Sequence, residues 1–139
     1  MNRFILDASV VLAWFVDDPL PPYAARVRES VLGGARAVVP ALWHLEVANG
    51  LAVAERRRIL TAPDIIRCLT YLEQLLAQAI EPAEDFVSLR QALTTARTFG
   101  LSAYDGVYLH AAGRERLPLA TLDQHLRRAA AKAGIELFR

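Results

Sequence analysis

Cys68 is the only cysteine in this 139-residue chain, which excludes an internal disulfide and every multi-cysteine zinc arrangement. A reducing cytoplasm fits that usage. Lys132 is the only lysine, so the positive charge is almost all arginine, whose planar fork suits phosphate and carboxylate. No glycine-rich phosphate loop or dinucleotide fingerprint occurs. No apolar run is long enough to cross a bilayer, and the run over residues 8–16 is bracketed by Asp7 and Asp17, with no cleavage-like site after it. Repeats, linkers and low-complexity segments are lacking, and a formal net charge of +1 argues neither for nor against nucleic acid.

What remains is a chain 54% hydrophobic and 22% charged, the balance of a compact domain without a long disordered tail. Residues 1–139 suffice for one domain, burying roughly two thirds of the surface its unfolded form exposes. Phe4, Ile5 and Leu6 form an unbroken apolar run, as a strand covered on both faces does, and it stops at Asp7. Helices are expected over residues 9–15, 23–32, 42–56, 61–76, 84–99, 102–116 and 123–133, with Leu69, Leu72, Leu75 and Leu76 as the stripe of the fourth. Further strands are expected at 37–40, 78–80, 117–121 and 135–138. Strands alternating with helices predict an α/β fold: a three-layer parallel sheet of about five short strands with helices on both faces.

Four acids fall where the carboxyl edge of such a sheet, or the adjoining helix N-termini, would lie: Asp7, Glu46, Asp105 and Asp123. Each has an ordinary alternative. Asp7 and Asp123 suit helix N-caps, Ser102-Ala103-Tyr104-Asp105 fits a capping box, and Glu46 could sit on a solvated stripe. Yet Leu42, Leu45, Val47, Ala48, Leu51 and Ala52 make the Glu46 helix apolar on nearly every side, and Asn49 shares the Glu46 face. Two carboxylates about 4 Å apart repel by roughly 4 kcal/mol at an effective dielectric of 20, so a cluster must take up protons or a cation. An all-oxygen donor set favours Mg²⁺ or Mn²⁺. Zinc-deaminase chemistry at His44-Leu45-Glu46 lacks its paired cysteines, and a receiver-like signalling site lacks its lysine, since Lys132 lies within a helix.

The chain resembles the PIN-domain ribonucleases, most closely the VapC toxins of bacterial and archaeal toxin–antitoxin pairs. Leu6-Asp7-Ala8-Ser9-Val10 is similar to the family's first motif and Leu45-Glu46-Val47-Ala48-Asn49 to the second. The third is matched by residues 102–108, around Asp105, and the fourth by Thr121-Leu122-Asp123. The resemblance implies a PIN-like fold and a metal-dependent endoribonuclease leaving 5′-phosphate and 3′-hydroxyl ends. It makes Asp7, Glu46, Asp105 and Asp123 the metal-binding acids, supported by Ser9, Asn49 and Thr121, with Mg²⁺ as cofactor and Mn²⁺ as substitute. Some members of the family carry a further carboxylate four residues from the third acid; here those places hold Leu101 and Leu109, leaving one metal or two open. RNA as substrate, a cognate antitoxin and a homodimer are implied as well. The competing reading is a non-catalytic PIN-like module that binds protein or RNA.

Overall fold

A computed structural model describes residues 2–84 and 86–139. Its centre is a parallel sheet of four strands, β1 (Arg3–Leu6), β2 (Arg36–Val39), β3 (Ile80–Pro82) and β4 (Leu119–Ala120), in the order β3-β2-β1-β4. The helices are α1 (Ala8–Val16), α2 (Pro22–Leu32), α3 (Leu42–Arg56), α4 (Ala62–Gln78), α5 (Leu89–Phe99), α6 (Ala103–Glu115) and α7 (Gln124–Lys132). One set joins α1 to α2 and α3, α3 to α4, and α4 to β3; the other packs α6 against β1, β4, α5 and α7. These helices flank the sheet, as the α/β expectation requires. Phe4, Ile5 and Leu6 are fully buried because a central strand is covered on both faces, each contributing about 1.5–3 kcal/mol of burial.

The expected fifth strand at 135–138 is reduced to a single parallel bridge, Leu119 to Leu137. Its partner is only two residues long, and Pro118 before it has no N–H to extend a ladder. Stacking holds the segment instead: the Phe138 ring lies 3.9 Å from that of Phe4, the planes 13° apart. The third strand sits two residues later than expected, since α4 continues to Gln78. Pro82 is tolerated there because β3 is an edge strand.

Helix α5 starts at Leu89 rather than at Glu84. Ser88 and Gln91 form a reciprocal capping box, with Gln91 N donating to Ser88 Oγ at 3.1 Å and Ser88 N to Gln91 Oε1 at 3.0 Å. On α4 the buried stripe is Cys68, Leu72 and Leu75, whereas Leu69 is 45% exposed. Thr61 and Asp64 form a capping box at its start. Since α4 lines no part of the acidic cleft described below, Thr61→Ala should cost about 1 kcal/mol, read as a lower Tm with unchanged activity.

Candidate functional site

Register builds the site. In the parallel pairing of β1 with β4, Leu6 lies opposite Ala120, so the next residues, Asp7 and Thr121, meet at the sheet's carboxyl edge. Asp7 N donates to Ala120 O at 2.9 Å, and Thr121 Oγ1 donates to Asp7 Oδ2 at 2.7 Å. Ser9 Oγ donates to the same oxygen at 2.6 Å. Asp7 occupies the N-cap position of α1, yet its side chain makes no capping bond. It is 5% exposed and committed to the polar pair instead. Burial raises its pKa above the usual value, the Ser9 and Thr121 hydroxyls oppose that, and the Asp123 charge raises it further.

Glu46 enters from the other side, one turn into α3. Only Trp43, Val47, Leu51 and Ala54 of that helix are buried, a single stripe at helical spacing. Leu45 is 75% exposed, so the helix is less apolar around Glu46 than its composition suggests. Glu46 Oε1 accepts a hydrogen bond of 2.6 Å from the Tyr108 hydroxyl. Partial burial raises the Glu46 pKa, the Tyr108 bond lowers it, and the charges of Asp7 and Asp105 add to the rise.

Asp105 and Asp123 lie where helices begin. Asp105 N donates to the Ser102 hydroxyl at 3.1 Å, but only this half of the expected capping box forms. The Asp105 carboxylate is thereby left for the cleft, its pKa raised by desolvation and then by the charges of Asp123 and Asp7. Asp123 does cap α7, with Leu126 N donating to Oδ1 at 2.8 Å, while Thr121 Oγ1 accepts from Asp123 N at 3.0 Å. Thr121 therefore ties the first and fourth acidic segments together.

Asp7, Glu46, Asp105 and Asp123 line one open cleft of about 300 Å³, with Ser9 and Asn49. Thr121 is fully buried beneath it. A larger cavity of about 550 Å³ adjoins Asn2 and Pro118, at the opposite end of β1 and β4, and Glu136 is the one acidic side chain among the described residues that line it. Chemistry, not size, singles out the acidic cleft. No arginine or lysine among the described residues lines it, and neighbouring carboxylate charge adds to the raised pKa of Asp7, Glu46 and Asp105. Among the described residues no three His, Cys, Asp or Glu side chains already converge at metal-ligand distances. The donors themselves, all oxygen, are of the kind a hard cation such as Mg²⁺ takes, since that ion binds one or two carboxylates directly and keeps several waters.

A PIN-domain family model matches residues 4–132. The chain belongs to the PIN-domain family. Solved structures with this PIN fold include PAE2754 from Pyrobaculum aerophilum, with TM-score 0.65 and 21% identity over 92% of this chain and 84% of that one. FitAcB from Neisseria gonorrhoeae has TM-score 0.62 and 24% identity over 98% and 96%. A domain of a functionally unknown protein from Methanocaldococcus jannaschii has TM-score 0.58 and 16% identity over 99% and 90%. No curated protein matches. PIN domains are generally nucleases. Among the described residues no helix is long and apolar enough to cross a membrane.

Two features of this PIN domain escaped the reading of its sequence. Tyr108 lies within the third motif, and its place three residues after Asp105 puts both on one helix face, which was the available signal. Gly50 is the other. A Cβ there would stand 2.5 Å from both methyl carbons of Leu12, so the glycine lets α3 close on α1 beside the cleft. Gly50→Ala should displace Leu12 and cost about 1–3 kcal/mol of overpacking, offset by about 1 kcal/mol of helix propensity. A modest net loss in thermal melting is the expected outcome.

Proposed function

We propose that this PIN domain is a Mg²⁺-dependent endoribonuclease, with Mn²⁺ as a working substitute, and the VapC-type toxin of a type II toxin–antitoxin pair. The observation that carries the catalytic reading is the cleft: four carboxylates from four separate segments face one opening, with no arginine or lysine among the described residues that line it. Asp7 and Asp105 are assigned as direct metal ligands, Glu46 as ligand or water-orienting base, and Asp123 as a ligand directly or through water. Ser9 and Thr121 hold Asp7 by hydrogen bonds to one oxygen. Asn49 offers a neutral amide for substrate or water at the rim. When bound, the cation lowers the pKa of a water and offsets charge on the scissile phosphate.

The pairing with an antitoxin and a homodimeric state are proposed on motif resemblance. The alternative, a PIN-like module that binds RNA or protein without cutting, draws support from the incomplete convergence of the acids. The deciding experiment incubates antitoxin-free protein with a mixed pool of structured RNAs in Mg²⁺, Mn²⁺ or EDTA, alongside folded Glu46→Gln. Metal-dependent cutting, with 5′-phosphate ends and loss in the variant, supports the nuclease. RNA bound but uncut by wild type in either metal overturns it in favour of the module.

A further inference from the structure

We propose that Tyr108 is a positioning residue: its hydroxyl holds Glu46 in place across the cleft from Asp105. The inference rests on the nuclease reading and adds to it a residue outside the carboxylate set. Glu46 is half-buried on α3, with a long side chain able to swing toward solvent. Tyr108 is fully buried on α6 and cannot follow it. The 2.6 Å bond from the phenol to Glu46 Oε1 fixes the flexible partner to the rigid one.

The placement of Tyr108 makes this more than a local contact. It is one helical turn after Asp105 on α6, whereas Glu46 belongs to α3 in the other set of helices. The bond is the one side-chain hydrogen bond between α3 and α6 among the described residues, so it relates two acids that approach from opposite sides. One hydroxyl thus references Glu46 to the helix of Asp105. With Oε1 engaged, Oε2 has no hydrogen-bond partner among the described residues and remains available for an ion or a water.

The test is Tyr108→Phe, which removes one oxygen and keeps the ring. Orienting partners of metal ligands typically contribute about 10–100-fold in affinity or activity. RNA cleavage should therefore lose kcat by about that factor, with KM for RNA within about twofold. The dissociation constant for Mn²⁺ alone, measured without RNA, should weaken by about 10-fold. Tyr108→Phe should cost almost nothing further once Glu46→Gln is present, because a residue acting through another is non-additive with it. Thr61→Ala, destabilised far from the cleft, serves as control and should keep wild-type kcat and Mn²⁺ affinity. In wild type itself, the Tyr108 hydroxyl should give a slowly exchanging downfield proton resonance that Mn²⁺ broadens, a readout independent of whether the variant folds.

Wild-type kcat and Mn²⁺ affinity in folded Tyr108→Phe, additivity with Glu46→Gln, or a hydroxyl resonance untouched by Mn²⁺ would each overturn the positioning role alone. A wild-type protein that neither binds Mn²⁺ nor cuts RNA would overturn the nuclease reading and this inference with it.

Discussion

Asp7→Asn should abolish RNA cleavage, by about 10³-fold or more, while making the metal-free protein more stable. The loss is of the size seen when a charge-stabilising group is removed from a catalytic centre. The gain follows from where Asp7 sits. It is 5% exposed, and burial together with the Asp123 charge raises its pKa above the ordinary carboxylate value. A group whose folded pKa is raised takes up protons on folding, so its favourable contribution is complete below the unfolded value of 3.8 and is lost as pH rises through the folded one. At neutral pH the ionised Asp7 opposes folding. Asparagine removes that charge, and it can keep an acceptor where Oδ2 now takes both the Ser9 and Thr121 hydroxyls.

Thermal melts across pH check this. Tm of Asp7→Asn should exceed that of wild type at pH 7, with the difference shrinking to nothing as pH falls below about 4. A variant less stable than wild type at pH 7 would mean that the Asp7 charge is compensated in the fold. The comparison within one position matters, because carboxylates elsewhere act in the opposite sense. Glu81 is held below its usual pKa by hydrogen bonds from Arg3 and Arg36, so its contribution is lost as pH falls.

Metal removal should have the other large effect, on activity and stability together. In EDTA cleavage should fall to background. Added Mn²⁺ should raise Tm: a ligand at 100 times its dissociation constant stabilises the native state by about 2.7 kcal/mol, worth about 10 °C for a domain of this size. Asp7, Glu46 and Asp105 all have raised pKa values, so the cation competes with protons and the Tm increment should grow with pH. Asp7→Asn should lose most of that increment. An equal increment in wild type and Asp7→Asn would place the ion outside the cleft.

Much of the fold was legible because the signals are local. The uninterrupted Phe4-Ile5-Leu6 run and the helix that starts at Thr61 each follow from the chemistry of a few neighbouring residues. Errors arose where an element depends on its partner. Residues 135–138 have a strand's composition, but the two-residue β4 leaves them only one bridge. Leu45 and Leu69 look like core residues by type and lie exposed, because the surface each helix buries is set by what packs against it.

The sequence by itself determined the alternation of strands and helices, the four motifs that resemble those of a PIN domain, and the position of each acid at a strand's end or in the first turns of a helix. Those are properties of short segments, written in residue type and spacing. Only the tertiary structure decided which oxygens are already committed. Asp7 takes Ser9 and Thr121, Asp123 caps α7, Asp105 escapes its capping box, and Glu46 meets Tyr108. The physical reason is that a carboxylate's role follows from the donors and charges that surround it in space. Here those donors come from residues as far as 114 positions away along the chain.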